Sequence, residues 1–330
     1  MITVLRPGMQ TTVQDSGRNG YAGAGIGSAG SADPVCARLA NRLVGNDITA
    51  ALLEITLTGP TLRFSSDAWI ALAGAPLEAS INGQPVPTWR PVPLSAGTTL
   101  ECHGMRQGAR TYLAVRGGIA VKPVLGSRST DVNAAIGPLG GRPLQSGDTL
   151  AVAALPDRIG HRTAPRWSCS PSPWFTANVR APIRLTPGTH YEWLDGASRV
   201  ALTSHPYRIQ PDSNRVGLRL DGPALQLTQP LELISECVCR GTVQLPPAGL
   251  PIVLGAEHPT TGGYPRIAHV IEADLPRIAQ QRPGDEAVFT LVTPDDAVRA
   301  GYRVAGALGR LEAEIDARLA ALDLHALALS

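Results

Sequence analysis

Ala68-Trp69-Ile70-Ala71-Leu72-Ala73-Gly74-Ala75-Pro76-Leu77-Glu78-Ala79-Ser80-Ile81-Asn82-Gly83 is the stretch that decides the fold. Its apolar run over 68–77 is broken by Gly74 and Pro76, and it is far shorter than the ~20 residues needed to cross a bilayer. Asn82-Gly83 follows an apolar segment and is the strongest short hairpin signal in the chain, because both central residues of that tight turn need a positive φ. The same grammar continues outward in both directions. Short apolar runs closed by Gly, Pro, Asn or Asp fall at 61–64, 111–115, 231–234, 242–245, 252–254 and 287–292. A turn phrase that launches a strand recurs as Ser95-Ala96-Gly97-Thr98-Thr99-Leu100, Gln145-Ser146-Gly147-Asp148-Thr149-Leu150 and Arg282-Pro283-Gly284-Asp285-Glu286-Ala287. Two β-rich units in succession are expected.

Three helices interrupt the strands. Asp33-Pro34 supplies an N-cap and a proline in the first turn, Leu39 and Leu43 face inward, and Gly45-Asn46 stops the helix. A short helix is predicted between Asp274 and Pro283. The last begins at Thr293-Pro294-Asp295-Asp296, with acids at the positive end of the dipole. Leu308, Leu311, Ile315, Leu319 and Leu322 then form a stripe at helical spacing, read as a face docking onto the protein's own body. The domain reading is 1–155 for the first β unit, 156–175 for a Pro-rich linker, 176–293 for the second β unit and 294–330 for a helical tail.

Composition narrows the chemistry. The 330 residues include 35 Gly and 29 Pro, with 43% hydrophobic and 17% charged, which describes a folded, turn-rich protein with an ample core. A net charge of +2 and only five Trp, six Tyr and three Phe give no electrostatic or stacking basis for nucleic-acid binding. Among 29 Lys and Arg the only lysine is Lys122, in Val121-Lys122-Pro123. A phosphate loop ending in Gly-Lys-Ser/Thr is therefore impossible, and a biotinyl-lysine arm is not expected on this chain. The N-terminus has no basic region followed by an apolar run, and five irregularly spaced cysteines do not make a disulfide framework. A cytoplasmic protein without membrane association is expected.

Gly25, Gly27 and Gly30 make a formal G-x-G-x-x-G. The preceding Asp15-Ser16-Gly17-Arg18-Asn19-Gly20 is turn-forming rather than a strand, so a dinucleotide fingerprint is rejected. There is no G-x-S-x-G elbow, no H-E-x-x-H and no zinc spacing among the histidines and cysteines, and no metal site is expected. Cys237-Val238-Cys239 is read as a pair of buried structural thiols on one strand face. His258 and His269 flank Thr260-Thr261-Gly262-Gly263-Tyr264-Pro265 and are candidate acid–base groups. The segment between them reads as a tight loop whose hydroxyls and glycines could form a nest of donors.

Seven motifs occur in order: Thr12-Val13-Gln14-Asp15-Ser16-Gly17-Arg18, Ala40-Asn41-Arg42-Leu43-Val44-Gly45-Asn46, Tyr112-Leu113-Ala114-Val115-Arg116-Gly117-Gly118-Ile119, Leu125-Gly126-Ser127-Arg128-Ser129-Thr130, Ser213-Asn214-Arg215-Val216-Gly217-Leu218-Arg219-Leu220, Gly241-Thr242-Val243-Gln244-Leu245-Pro246-Pro247 and the run 260–265. Together they resemble the biotin-dependent carboxyltransferase family, also called allophanate hydrolase subunit 2, over roughly residues 1–293. Its members include the C subunit of ATP-dependent 5-oxoprolinase and the carboxyltransferase region of urea carboxylase. The resemblance implies a mainly β fold of two consecutive cyclophilin-like β-barrel units with a few short helices and a C-terminal helix. It implies a small-molecule substrate and, in the oxoprolinase case, ATP shared with the sister A and B subunits. Any biotin would arrive on another chain.

The resemblance also suggests a site. Asp15, Arg128, Tyr264 and His258 are the candidate catalytic residues, with Asp15 taking or orienting a proton and Tyr264 as a polar lid. Gln14, Arg18, Arg116, Ser127, Asn214, Arg215, Thr260, Thr261, Gly262 and Gly263 are candidate substrate-binding residues. The arginines offer bidentate forks to a carboxylate or lactam, and the 260–263 hydroxyls and N–H groups could meet developing charge on oxygen. One position departs from the family pattern. Pro259 stands where Gln usually precedes the Thr-Thr-Gly-Gly-Tyr-Pro run, so that residue's task is lost or passes to His258. Three activities follow from the resemblance. The first is the C subunit of a 5-oxoprolinase, opening the lactam to glutamate with ATP; the second is a carboxyltransferase component; the third is a non-catalytic regulator of the kinase-inhibitor-antagonist type.

Overall fold

The computed structural model describes residues 1–154, 165–172, 174, 181–229 and 233–328, with side chains up to residue 322. Its strands are β1 (Ile2–Arg6), β2 (Gln10–Gln14), β3 (Leu52–Thr56), β4 (Thr61–Phe64), β5 (Ala68–Gly74), β6 (Leu77–Ile81), β7 (Gln84–Pro85), β8 (Val92–Leu94), β9 (Thr99–Met105), β10 (Arg110–Val115) and β11 (Thr149–Leu150) in the first half. The second half holds β12 (Ile183–Pro187), β13 (Tyr207–Ile209), β14 (Gly217–Asp221), β15 (Glu236–Cys237), β16 (Thr242–Gln244), β17 (Ile252–Leu254), β18 (Thr261–Gly262), β19 (Arg266–Val270), β20 (Glu286–Ala287) and β21 (Phe289–Leu291). The helices are α1 (Pro34–Leu43), α2 (Pro138–Gly141), α3 (Gly196–Ser204), α4 (Leu275–Ala279) and α5 (Pro294–Ala328). The molecule is mainly β with few helices, as the turn-rich pattern predicts.

Two compact units emerge, but they are interleaved along the chain. One gathers Met1–Gly17, Asp33–Thr176 and Gly306–Ser330; the other gathers Arg18–Ala32 and Ala177–Ala305. The strictly sequential division read from the sequence is thus altered in two places. Residues 18–32 go with the second unit, and α5 is divided between both. Most of the expected linker lies outside the described residues.

The first unit packs a six-stranded sheet, in the order β11-β1-β4-β9-β6-β7, and a five-stranded sheet, β2-β3-β10-β5-β8, around one core. Alternation along β1 and β4 sends Ile2, Val4, Leu62 and Phe64 into that core. The Asn82-Gly83 hairpin forms as read: Ser80 faces Pro85, Ile81 faces Gln84, and the two turn residues have φ of 51° and 74°. Helix α1 is capped by Asp33, whose Oδ1 accepts the Cys36 N–H at 3.0 Å. Leu39 and Leu43 of α1 are fully buried, and the helix packs on β5 and β10. The later part of α5 closes the same core with Leu308, Ile315 and Leu319, and Glu312 and Asp316 pair with Arg38 and Arg42 of α1. The stripe therefore docks on the protein's own body, as its spacing predicts.

The second unit is built on an eight-stranded, nearly closed sheet, β20-β13-β14-β17-β16-β19-β12-β21. All its pairs are antiparallel except β12 with β21. Leu185, Tyr207, Leu220, Val243, Val253, Ile267 and Phe289 fill its core. A separate two-stranded ribbon pairs β15 with β18. A strand expected at 231–234 is not found at 233–234; residues 231 and 232 lie outside the described residues. The strand begins instead at Glu236, and Ile234 is 88% exposed. Among the described residues no helix is long and apolar enough to cross a membrane.

Candidate functional site

The first unit gathers Gln14, Asp15, Ser127 and Arg128. Strand β2 ends at Gln14, and the chain beyond it meets the loop after Val124. Asp15 Oδ1 accepts the Ser127 hydroxyl at 2.6 Å, the Ser129 hydroxyl at 2.6 Å and the Gly17 N–H at 2.8 Å. Its Oδ2 accepts the Arg128 N–H at 2.6 Å, and the Asp15 N–H donates back to Ser129 Oγ at 3.0 Å. A carboxylate with this many donors holds a loop in place. The geometry suits an orienting role for Asp15 better than a proton-taking one. Gln14 is fully buried and donates its amide to Thr12 Oγ1 at 3.0 Å and to the Thr130 carbonyl at 2.8 Å.

The two candidate arginines of this unit are turned inward upon the fold. Arg128 Nε donates to the Val121 carbonyl at 3.0 Å, bracing the same loop. Arg116 Nη1 donates to the Val44 carbonyl at 3.0 Å, satisfying a carbonyl at the C-terminal end of α1. Arg116 is thus engaged at a helix end rather than in the Asp15 cluster.

In the second unit, Arg18 is buried and its backbone N–H donates to the Ser28 carbonyl at 2.7 Å. Arg215 and Glu257 form a buried ion pair, Nε to Oε1 at 2.5 Å, and Arg215 Nη2 donates to the Gly30 carbonyl at 2.7 Å. Arg240 donates to the carbonyls of Ser31 and Ala32. The end of the glycine-rich segment therefore presents carbonyl oxygens to guanidinium groups. A phosphate cradle presents N–H groups instead, so residues 30–32 do not form one. Asn214 is exposed and caps its own turn, its Oδ1 accepting the Val216 N–H at 2.8 Å.

The run 260–265 departs from the expected nest. Thr261 and Gly262 lie in β18, register-paired with Cys237 and Glu236 of β15, and neither Gly262 nor Gly263 has a positive φ. Gly262 serves a different need. A Cβ there would sit 2.4 Å from Gln244 Nε2 and 3.5 Å from Val238 Cγ1, so any larger residue would force the buried Gln244 amide to move. Thr260 is half-buried, Thr261 is exposed, and Tyr264 is 45% exposed at the end of the ribbon. The His258 Nδ1–H donates to the Pro259 backbone carbonyl at 2.7 Å, which fixes the imidazole against its own loop. Burial holds the His258 imidazole below the usual histidine range, and burial with the nearby Arg266 charge does the same for His269.

The cysteine pair also departs from expectation. Cys237 and Cys239 are both exposed: β15, which ends at Cys237, is half of a two-stranded ribbon rather than a core strand, and Cys239 lies beyond its end. Sequence reading missed Ser129, Glu257, Arg240 and Gln244. Ser129 and Gln244 lie inside quoted motifs, and the alternation that places Gln244 on the same strand face as Thr242 was the available signal. Among the described residues no cluster of three or more His, Cys, Asp or Glu could hold a metal ion.

Residues 24–291 match the family model described as carboxyltransferase domain, subdomain A and B. The chain belongs to this carboxyltransferase domain family. Within it, the chain is 42% identical over 301 residues to the C subunit of 5-oxoprolinase from Escherichia coli, covering 91% of this chain and 94% of that one. It is 31% identical over 307 residues to urea amidolyase of Saccharomyces cerevisiae, covering 87% of this chain but 16% of that protein. The crystal structure of the K. lactis urea amidolyase superposes with a TM-score of 0.84 at 28% identity, over 95% of this chain and 20% of that one. The mainly β, barrel-like fold expected from the motifs and the family membership are both established by these matches.

Proposed function

We propose that the chain is the C subunit of an ATP-dependent 5-oxoprolinase. The observation that carries this reading is the match to the Escherichia coli subunit along nearly the whole length of both chains; the urea amidolyases contain a comparable region as a small part of a much longer protein. The reaction adds water across the lactam C–N bond of 5-oxoproline, leaving the carboxylate and amino group of glutamate, coupled to cleavage of ATP to ADP and phosphate. The sister A and B subunits complete the assembly in the cytoplasm. The carbonyls of residues 30–32 face guanidinium groups and offer ATP no phosphate cradle, so no step through ATP is assigned to this chain's residues.

The proposed role of this chain is to bind and orient. The loop pinned by Asp15 holds Ser127 and Arg128 in fixed geometry, and the ribbon carrying Thr260, Thr261 and Tyr264 offers hydroxyl donors for a carboxylate or lactam oxygen. His258, neutral at pH 7 through burial, is suited to receive a proton. Co-expression with the sister subunits and measurement of 5-oxoproline-dependent ADP release tests the reading. Release from the purified assembly is expected; a verified assembly that releases none overturns it. The second reading, a carboxyltransferase component, is favoured by the K. lactis superposition and requires a biotinylated carrier chain; urea-dependent ADP release with that carrier, and none with 5-oxoproline, would establish it.

A further inference from the structure

Seven asparagines occur in the chain, and two of them precede glycine, in Asn19-Gly20 and Asn82-Gly83. An asparagine followed by glycine is able to cyclise, because the backbone nitrogen of the next residue reaches the side-chain carbonyl carbon and glycine has no Cβ to block the approach. The reacting atoms must come within about 3–3.5 Å of each other. The side-chain amide and the attacking N–H must also be free of other partners, and the asparagine backbone must be able to rotate.

The fold withholds at least one of these conditions from every described asparagine but one. Asn41 donates its amide to the Ala50 carbonyl at 2.8 Å and Asn46 to the Val115 carbonyl at 2.8 Å, and both residues are buried. Asn214 Oδ1 accepts the Val216 N–H at 2.8 Å. At Asn133 the nucleophile is occupied, since the Ala134 N–H donates to Asp131 Oδ1 at 2.9 Å. Asn82 is exposed, but its φ is 51° and the Ser80–Pro85 and Ile81–Gln84 pairs close the hairpin behind it. Its backbone cannot rotate toward the cyclic geometry unless that hairpin opens. Asn178 lies outside the described residues.

Asn19-Gly20 meets none of these restraints. Both residues are exposed, neither belongs to a helix or strand, and Asn19 lacks the positive φ of Asn82. Among the described residues neither the Asn19 amide nor the Gly20 N–H has a hydrogen-bond partner. A Cβ built at Gly20 would meet no atom within 4 Å. The pair forms the unbonded arc of a loop that the Arg18 N–H closes on the Ser28 carbonyl at 2.7 Å, whereas the Ala24, Gly25 and Ile26 N–H groups are bonded inside that loop.

We propose that Asn19 is a self-modification site, at which the native fold permits the succinimide formation and deamidation that it denies to Asn82. The Gly20 nitrogen gives its proton to hydroxide as it attacks Asn19 Cγ. The N–Cγ bond forms, the Cγ–Nδ2 bond breaks, and ammonia leaves with a proton taken from water. Water then opens the five-membered imide at either carbonyl, giving aspartate or isoaspartate; no other reactant is consumed. Either product sets a carboxylate directly after Arg18 and lowers the net charge of +2 by one. Isoaspartate also lengthens the backbone inside the loop closed by Arg18 and Ser28. The site needs neither ATP nor a sister subunit, so it stands apart from the oxoprolinase reading.

Incubation of the native full chain in mildly alkaline buffer, sampled at intervals by peptide mass spectrometry, tests the proposal. Conversion of amide to acid should run at least about tenfold faster at Asn19 than at Asn82, because the hairpin must open locally before Asn82 reacts. In guanidinium chloride, where both are unfolded Asn-Gly sequences, the two rates should converge. Asn19→Gln, whose longer side chain would have to close a larger ring, should remove the first acidic species to appear on ion exchange. Equal native rates at the two positions, a faster Asn82, or an Asn19 that stays intact while the unfolded chain converts would each overturn the proposal.

Discussion

Asp15 and Ser127 meet at 2.6 Å, hydroxyl to carboxylate, although 112 residues separate them in sequence. The contact ties the end of β2 to the loop that carries Arg128, and Ser129 and the Arg128 N–H join it on the same carboxylate. Replacing Asp15 by Asn keeps the size but sets an amide NH₂ against donors. The expected loss is about 1–3 kcal/mol, read as a lower urea midpoint with an unchanged slope. A midpoint equal to that of the unsubstituted chain would show that the loop does not depend on this carboxylate.

Arg215 and Glu257 are both almost completely buried. Glu257→Ala should cost about 3–5 kcal/mol, because a charge left without its partner in the interior is expensive. The double replacement Arg215→Met with Glu257→Leu should cost less than Glu257→Ala alone. Thermal melts of the single and double variants check this, and additive losses would refute a coupled pair.

Gly262 and Gln244 share one space. Gly262→Ala places a methyl against the Gln244 amide and should destabilise by about 1–3 kcal/mol through overpacking. Gly262→Ala should be nearly silent once Gln244 has been shortened to Ala. A cycle showing no coupling between the two positions would contradict the packing described.

The histidines set a pH dependence with a definite sign. Burial lowers the pKa of His190, His258 and His269, all in the second unit, with Arg266 adding to it for His190 and His269. The unfolded chain therefore binds protons first as pH falls through the ordinary histidine value of 6.5, and the native state loses stability below it. Melting temperature should fall between about pH 7 and pH 5, and His269→Asn should flatten the decline. A melting temperature constant across that window would remove the histidines from the stability balance. The lowered carboxylates Asp148 and Asp296 act in a separate, more acidic window, since their stabilisation is lost only as pH drops below 3.8.

Much of the fold was legible because it rests on local rules. The Asn82-Gly83 hairpin, the Asp33-Pro34 start of α1 and the leucine stripe of α5 depend on turn chemistry, capping and periodicity within a few residues. What depended on distant partners was not legible. Gly262 reads as nest-forming until Gln244 is seen beside it, and Cys237 and Cys239 read as buried on one strand face until the strand proves to be half of a ribbon that ends at Cys237. The motif arginines illustrate the same limit: Arg116 and Arg128 donate to backbone carbonyls, a use that no spacing rule announces. Nor does composition reveal that residues 18–32 join the second unit.

The division of α5 bears on how the protein is made. Leu308, Ile315 and Leu319 belong to the core that β1 begins, so the N-terminal unit cannot close its interior until translation has passed residue 319. Domains emerging from the ribosome ordinarily settle one after another, N-terminal first. Here the first-born strands must wait for the last helix, and a ribosome that stalls late would leave an open hydrophobic surface for chaperones or proteases to find.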